Sequence, residues 1–236
     1  VVAAVGVDSK QTYVAGYKTK EFTPMHLSVM DGGLDMVEYI YYMSLNYGGM
    51  EVFLADTTGK VNLLSGSQPQ LDGLKLSENG KKAAYLDTDA NTGDTILVEI
   101  ELGKEKAETV ATNVQSFGYI GNTLIYYFDY TEGVGTLGAA GSKTTIANAS
   151  GVQFTEDAVY YVADADAATG NGELRAWDGK TETAIAKDVF AFQYKENGKL
   201  VYIGKYDVNA GVGDLYYYDG KEARKLDTGI TAIFIY

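Results

Sequence analysis

Cysteine is absent from the chain, and histidine and tryptophan occur once each, as His26 and Trp177. Without cysteine there is no disulfide, no thiolate nucleophile and no zinc–thiolate centre. A lone histidine with no second histidine or cysteine beside it does not make a transition-metal site, and a satisfied structural histidine is the plainer reading. No Gly-x-Ser-x-Gly elbow marks a nucleophilic serine. Proline is nearly missing too, with 2 in 236 residues. No apolar run approaches the ~18 residues of a membrane span, so direct membrane insertion is not expected. Val1 opens directly on a strand-like run, with neither a basic region nor a cleavage site before it. The sequence therefore reads as a trimmed domain whose export signal or anchor lies upstream. Positive charge is also short. Nineteen Lys and Arg face 32 Asp and Glu, for a formal net charge of -13. Such a chain repels nucleic-acid phosphate and anionic lipid, so neither is an expected partner. Solubility is the plainer role of the charge.

What the chain has instead is 28 Gly, 20 Tyr and 46% apolar residues. That composition suits many short strands joined by tight turns around a sizeable core. The stretch Asn197–Tyr236 shows the pattern most openly: an Asn-Gly turn, an alternating run, a Gly-rich acidic loop, a second run, then Asp219-Gly220-Lys221. Asn-Gly and Asp-Gly between alternating runs are strong hairpin signals, because both central residues take positive φ. The unit repeats. The glycine of its second turn recurs as Gly59, Gly103, Gly141, Gly179 and Gly220, followed at once or one residue later by Lys60, Lys104, Lys143, Lys180 and Lys221. The first turn recurs in phase as Asp31-Gly32, Asn79-Gly80, Gly121-Asn122, Glu156-Asp157 and Asn197-Gly198. Repeats of ~40–45 residues with four strands each are the mark of propeller blades.

Counted from the axis outward, the innermost strands are His26–Met30, Leu71–Leu76, Gln115–Ile120, Gly151–Thr155 and Val189–Tyr194. The second strands are the aromatic runs Tyr39–Met43, Ala83–Leu86, Leu124–Phe128, Val159–Val162 and Leu200–Gly204. The third are Glu51–Ala55, Thr95–Ile100, Thr136–Ala139, Leu174–Trp177 and Leu215–Tyr218. The fourth are Val61–Leu64, Ala107–Val110, Thr144–Ala147, Glu182–Ala186 and Ala223–Leu226. Thr231–Tyr236 reads as one more innermost strand, while Val1–Val7, Thr12–Tyr17 and Glu21–Met25 read as a second, third and fourth strand. Joining the two ends completes a sixth blade. The expected fold is all-β: a six-bladed β-propeller of four-stranded antiparallel blades over residues 1–236, one domain, with 1+3 closure between the C-terminal strand and the N-terminal strands. A five-bladed ring with an N-terminal appendage is the alternative, and it leaves the last strand unexplained. His26 would stand near the central channel, where a titratable group matters.

The run "KLVYIGKY", loop, "DLYYYDGK" after an Asn-Gly turn resembles the bacterial propeller repeat of TolB-type periplasmic proteins and of many cell-surface proteins of unknown function. The likeness covers the chain as repeats, is closest in Ala158–Tyr236 and is weakest in residues 1–35. It departs from the TolB-type repeat in having Glu-Asn-Gly where that repeat has Ser-Pro-Asp-Gly. There is no Gly-His and no recurring Trp-Asp, Trp177-Asp178 being a lone match. The resemblance implies an exported propeller used for binding. It carries no catalytic residue across, because the shared residues are turn and core residues.

The loops between second and third strands are long and acidic, and they share one end of the blades with the blade-to-blade links. Ligand-face candidates there are Asp129, Glu132, Asp164, Asp166, Glu173, Asp207 and Asp214, with Trp177 as a stacking residue. A concave acidic face focuses positive potential carriers: a metal ion, a basic peptide or an amine. In one loop Asp87, Asp89, Asn91 and Asp94 set side-chain oxygens at the first, third, fifth and eighth positions, a pattern suited to calcium, which takes 6–8 oxygens. Gly93 falls at the seventh position rather than the sixth, however, and no glutamate follows at the twelfth. The plainer reading of such loops is ordinary Asp/Asn/Gly turns. Gly133-Val134-Gly135 and Gly211-Val212-Gly213 look like phosphate-loop fragments but open no helix, so hairpin loops are expected. In Tyr126-Tyr127 and Tyr160-Tyr161 adjacent rings point to opposite sheet faces, and one of each pair is expected in the core between blades.

These features point to a non-enzymatic, extracytoplasmic binding or scaffolding propeller, monomeric, engaging a protein or cell-wall ligand through its acidic loop face. A hydrolase or lyase with an acidic active-site face, and a structural module of a larger surface protein, are the competing readings.

Overall fold

The computed structural model describes residues 2–5, 12–15, 23–25, 39–46, 49–56, 61–64, 70–102, 104 and 106–234. Among them there is no helix, and every strand pair is antiparallel. The chain packs as two units, Val1–Leu76 with Gly80–Val110, and Ser77–Asn79 with Ala111–Tyr236. The innermost strand expected at His26–Met30, and His26 with it, lies outside the described residues.

The first unit holds three sheets. One is β1 (Val2–Val5), β2 (Thr12–Ala15) and β3 (Thr23–Met25); the next is β4 (Tyr39–Asn46), β5 (Gly49–Asp56) and β6 (Val61–Leu64). The third is a complete four-stranded meander: β7 (Gln70–Leu76), β8 (Lys82–Thr88), β9 (Thr95–Glu101) and β10 (Lys106–Thr112). Its alternating strands put Ala83, Tyr85, Ile96, Val98 and Ile100 on one buried face.

The second unit is a single ladder of ten strands in chain order. They are β11 (Val114–Ile120), β12 (Thr123–Thr131), β13 (Val134–Ala139), β14 (Thr145–Phe154), β15 (Val159–Ala163), β16 (Gly172–Trp177), β17 (Glu182–Glu196), β18 (Lys199–Asp207), β19 (Val212–Tyr218) and β20 (Ala223–Ile230). The fourth strand of one repeat and the innermost strand of the next, expected to be separate, are one continuous strand in β14 and again in β17. β14 pairs with β13 through its first half and with β15 through its second, and β17 does the same with β16 and β18. Three four-stranded meanders are thereby joined edge to edge.

A recurring bend makes both joins and also precedes the first strand of the ladder. Asn113, Asn148 and Asp188 all take positive φ, near 55°, one residue before the buried Val114, Ala149 and Val189. Asp129, Asp164 and Lys205, at the far ends of the second strands, take positive φ as well. The left-handed region costs an ordinary residue about 1–2 kcal/mol, and Asn and Asp tolerate it best. Here it is offset by hydrogen bonds. Asp129 N–H donates to the Asn113 carbonyl and Asp164 N–H to the Asn148 carbonyl, both at 3.1 Å. The Asn113 and Asn148 amides donate back to the Asp129 and Asp164 carboxylates at 3.2 Å. Opposite the bend a side chain would not fit: a Cβ on Gly172 would lie 2.4 Å from the Ala163 carbonyl oxygen, and one on Gly213 2.9 Å from that of Gly204.

The core lies between meanders. Ile125, Tyr127, Leu137 and Ala139 of the first pack on Ala149, Val159, Tyr161 and Trp177 of the second. The second's opposite face sets Tyr160, Val162 and Leu174 against Val189, Phe192, Leu200 and Tyr202 of the third. Because the middle meander is covered on both faces, Tyr160 and Tyr161 are both buried, where only one of the pair was expected in the core. Each fully buried Leu or Val contributes about 1.5–3 kcal/mol. Gln153 adds a polar tie across the second gap: its amide donates to the Phe192 carbonyl and accepts from Tyr194 N–H, each at 3.0 Å.

At the C-terminal end, β20 stops at Ile230, and residues 231–234 form no strand; β1 pairs only with β2. The closing strand expected at Thr231–Tyr236 is thus not formed by its described part.

If the left-handed bend is the constraint at the joins, glycine is better there than alanine. Asp164→Gly and Asp164→Ala both lose the bond to Asn148, but only glycine is relieved of the strain. Urea denaturation is expected to rank Asp164→Gly above Asp164→Ala by about 0.5–1 kcal/mol, whereas the reverse order would show that φ does not limit this position.

Candidate functional site

The loop end of the second unit carries the hairpin between β12 and β13, the loops 164–171 and 207–211, and the joins just described. Two loop types recur. In the short hairpin Glu132 and Gly133 both take positive φ, as a two-residue turn requires. The longer type is an Asp-x-x-x-Gly loop, found in the first unit as Asp89–Gly93 and in the second as Asp166–Gly170 and Asp207–Gly211. In each the glycine N–H closes on the aspartate carbonyl at 2.7–2.8 Å, and the glycine takes positive φ. In each the aspartate Oδ1 also accepts two N–H groups from within the loop: Asn91 and Thr92, Ala168 and Thr169, Asn209 and Ala210.

These bonds sort the expected ligand-face residues by what each is already doing. Asp129 and Asp164 hold the joins, and Asp166 and Asp207 close their own loops. All four are bonded to neutral partners, and none is in an ion pair among the described residues. Glu173 and Asp214 do not stand free. Arg175 Nε donates to Glu173 at 2.6 Å and its Nη1 reaches Glu182 at 2.5 Å, while Lys225 pairs with Asp214 at 2.7 Å. Glu132 is exposed and bonded to none of the described residues. Trp177 is at the other end of the blade. It pairs with Val159 while Glu173 pairs with Ala163, and at 3% exposure its ring belongs to the core. Its expected place as a surface stacking residue on the acidic face is therefore corrected; the β-strand period carries it to the turn end.

The calcium set is likewise engaged locally. Asp89 Oδ1 accepts the two loop amides, Asp87 is buried and its Oδ1 accepts Thr88 N–H at 2.8 Å, and Asp94 N–H donates to the Thr92 hydroxyl. Among the described residues, no group of three or more His, Cys, Asp or Glu is arranged to hold a metal.

Hydrogen bonds from the backbone hold Asp89, Asp166, Asp178 and Asp219 below the ordinary carboxylate value of 3.8. A folded value depressed below the unfolded one stabilises the fold above 3.8, and that contribution is lost as the pH falls through the folded value. For Glu182 burial acts upward, but hydrogen bonds from Tyr161 and Arg175 outweigh it, and it too sits low. The buried Tyr161 hydroxyl donates to Glu182 at 2.5 Å, and burial first, then this bond, drive its phenol upward.

Aromatic side chains share the loop end, and the sequence reading did not single them out. Tyr130 is 48% exposed and meets the Tyr127 ring edge-on. Phe190 and Tyr206 stack at 3.9 Å with only 8° between their planes, and Phe190 remains 37% exposed. Asn171 steadies Tyr206 from the neighbouring loop, donating to its carbonyl at 3.0 Å and accepting its N–H at 3.3 Å. The signal was available: Gln115 and Ser150 occupy the place after the bend that Phe190 takes in the third meander. A cavity of about 450 Å³ lies at this end, walled by Gln115, Ser116, Tyr127, Tyr130 and Gln153. Tyr127 is spoken for, its hydroxyl donating to the Ala149 carbonyl at 2.8 Å, and burial with Tyr130 nearby pushes its phenol up to about 12.

No family model and no curated protein matches the chain. Among solved structures, the β-propeller domain of the Trilobed protease from Pyrococcus furiosus aligns at TM-score 0.48 and 14% identity, over 80% of this chain and 68% of that one. An acylaminoacyl peptidase in complex with Z-Gly-Gly-Phe-chloromethyl ketone aligns at 0.48 and 13%, over 80% of this chain but 38% of its own, so the chain spans little more than a third of that protein. TolB from Acinetobacter baumannii aligns at 0.40 and 12%, over 93% and 60%. At such identities and scores none of the three carries a function across to this chain.

The committed oxygens of Asp87 and Asp89 lead to a direct expectation. Melting curves with calcium and with a chelator should coincide; an ion held there at 100 times its dissociation constant would instead add about 2.7 kcal/mol.

Proposed function

We propose that the protein is a non-enzymatic binding propeller whose loop end engages a basic, aromatic-bearing segment of a protein ligand. One observation carries the reading. The exposed Tyr130 and the Phe190–Tyr206 stack share one end of the second unit with five carboxylates that are in no ion pair among the described residues: Asp129, Glu132, Asp164, Asp166 and Asp207. Aromatic surface supplies contact area at low entropic cost, and a surrounding negative field steers cations to it. A location outside the cytoplasm, expected from the TolB-type resemblance, belongs to the same proposal, as does the six-bladed ring closed by joining the two chain ends. What supports the ring is the strand count: among the described residues β1–β3 is one strand short of a four-stranded blade, as is β4–β6, whose missing strand is expected at His26–Met30.

Two measurements test these claims. Against an array of peptides graded in charge, basic peptides containing an aromatic residue should bind and neutral ones should not. Glu132→Lys should weaken binding and flatten its salt dependence, and Phe190→Ala should weaken it by about tenfold or more, as loss of an aromatic anchor does. The control pair Lys143→Glu and Lys221→Glu lies on the turns at the other end. Binding that ignores peptide charge, or that is lost only in the control, would reject this face. For the ring, deleting residues 231–236 should lower the melting temperature; unchanged melting would rule out closure by that segment.

A further inference from the structure

At the opposite end of the second unit lies a second cavity, of about 390 Å³, between the first and second meanders. It differs in kind from the loop end. Its lining includes Thr123, Ser142, Thr144, Trp177, Gly179 and Lys180, and no lining residue carries a carboxylate. Two tight turns frame it. In the first, Ser142 N–H donates to the Ala139 carbonyl at 3.0 Å and the Ser142 hydroxyl accepts Thr144 N–H at 3.0 Å, so its own proton is left to donate. In the second, Asp178 Oδ1 takes the N–H groups of Lys180 and Thr181 at 2.8 and 2.6 Å, which turns that carboxylate into its own loop. The Gly179 backbone sits so close to the first meander that a Cβ there would meet Thr123 Cγ2 at 3.0 Å. The wall is therefore fixed by packing.

One donor in this cavity lacks a partner, and one cation beside it makes no ion pair. Trp177 is 3% exposed and lines it, yet its indole N–H meets no acceptor among the described residues. A buried donor left unsatisfied costs about 1–3 kcal/mol, so buried Trp N–H groups normally find an acceptor. Lys180 is exposed and forms no ion pair among the described residues; the one carboxylate it acts on, Asp178, is turned into its own loop. An exposed ammonium outside any ion pair, a buried indole N–H and three hydroxyls around one space, with no acid in its lining, are a donor-rich set. We infer that this cavity binds a small carboxylate. The single cation matches a monoanion; a phosphate dianion would be left half compensated inside a protein of formal net charge -13. The indole and the methyl groups of Ala139 and Ala140 give the ligand's carbon skeleton an apolar wall.

Trp177 is the chain's one tryptophan, so its fluorescence reports this cavity directly. The intact protein is titrated with glucuronate, with acetyl-glycyl-glycine and with glucose, which distinguishes a sugar acid, a peptide C-terminus and a neutral ring of the same size. Saturable changes in emission are expected for one or both carboxylates and not for glucose. Lys180→Gln should weaken the binding about tenfold or more, as loss of a charge-assisted hydrogen bond does. In Trp177→Phe, followed by calorimetry, loss of the N–H should also weaken it, and thermal melting checks that this variant is folded. No saturable change with either carboxylate, an equal response to glucose, or unchanged affinity in Lys180→Gln would overturn the inference.

Discussion

The backbone bend at each join is the constraint on which the second unit depends. A strand that ends one meander must turn and begin the next without leaving the ladder. Asn148 within β14 and Asp188 within β17 do this by entering the left-handed region, as Asn113 does just ahead of β11, and Asp129, Asp164 and Lys205 take positive φ in answer. The strain of about 1–2 kcal/mol per residue is comparable to the net worth of the hydrogen bonds that hold it, about 0.5–1.5 kcal/mol each. The bend thus persists because packing on both sides leaves no other path. Its place fixes everything outside it. The loops that follow the second strands all spring from the same end, and the Gly-Lys turns all fall at the other.

That geometry explains why an acidic loop can be structural and still carry a field. In the Asp-x-x-x-Gly loops one carboxylate oxygen accepts two backbone amides and so replaces a turn of regular structure. The bond is to neutral donors, so the charge is not cancelled; it is held in the ionised form, as the lowered value of Asp166 shows. Ion pairing acts in the opposite way. Arg175 and Lys225 remove Glu173 and Asp214 from the field although the sequence counts all of these acids alike.

Much of this was legible in the chain. The second strands of the repeats were placed to within a few residues because Tyr, Val and Ile alternate between turns whose glycines need positive φ, and both the alternation and the glycines are local. The misses were nonlocal. The fusion of two strands into β14 and into β17 hides behind Asn148 and Asp188, which read as loop residues but sit in extended chain. Trp177 was assigned to the acidic end because it follows an acidic loop, yet five residues of strand carry it to the turn end. Tyr160 and Tyr161 looked like one core and one surface ring, since a single sheet has a wet face; a middle meander has none. Phe190 was passed over because an aromatic inside a β-rich run reads as core.

The two ends of the unit therefore differ in charge for one structural reason: the loop end is acidic, and the turn end mixes lysines with acids. Aspartate is the residue that closes a five-residue loop, and that loop recurs on the side where second strands give way to third. The Gly-Lys turn recurs on the other side, where its aspartate, as in Asp178 and Asp219, folds back on its own amides and leaves the lysine outside. A repeat with these two turn types separates charge along every blade it builds, whatever the number of blades. Function can then be added by a few departures from the repeat. Phe190 replaces a polar residue at the loop end, and Trp177 fills the gap between meanders at the turn end, its N–H without an acceptor among the described residues. These two side chains, and not the repeated aspartates, are where the structure stops explaining itself by folding alone.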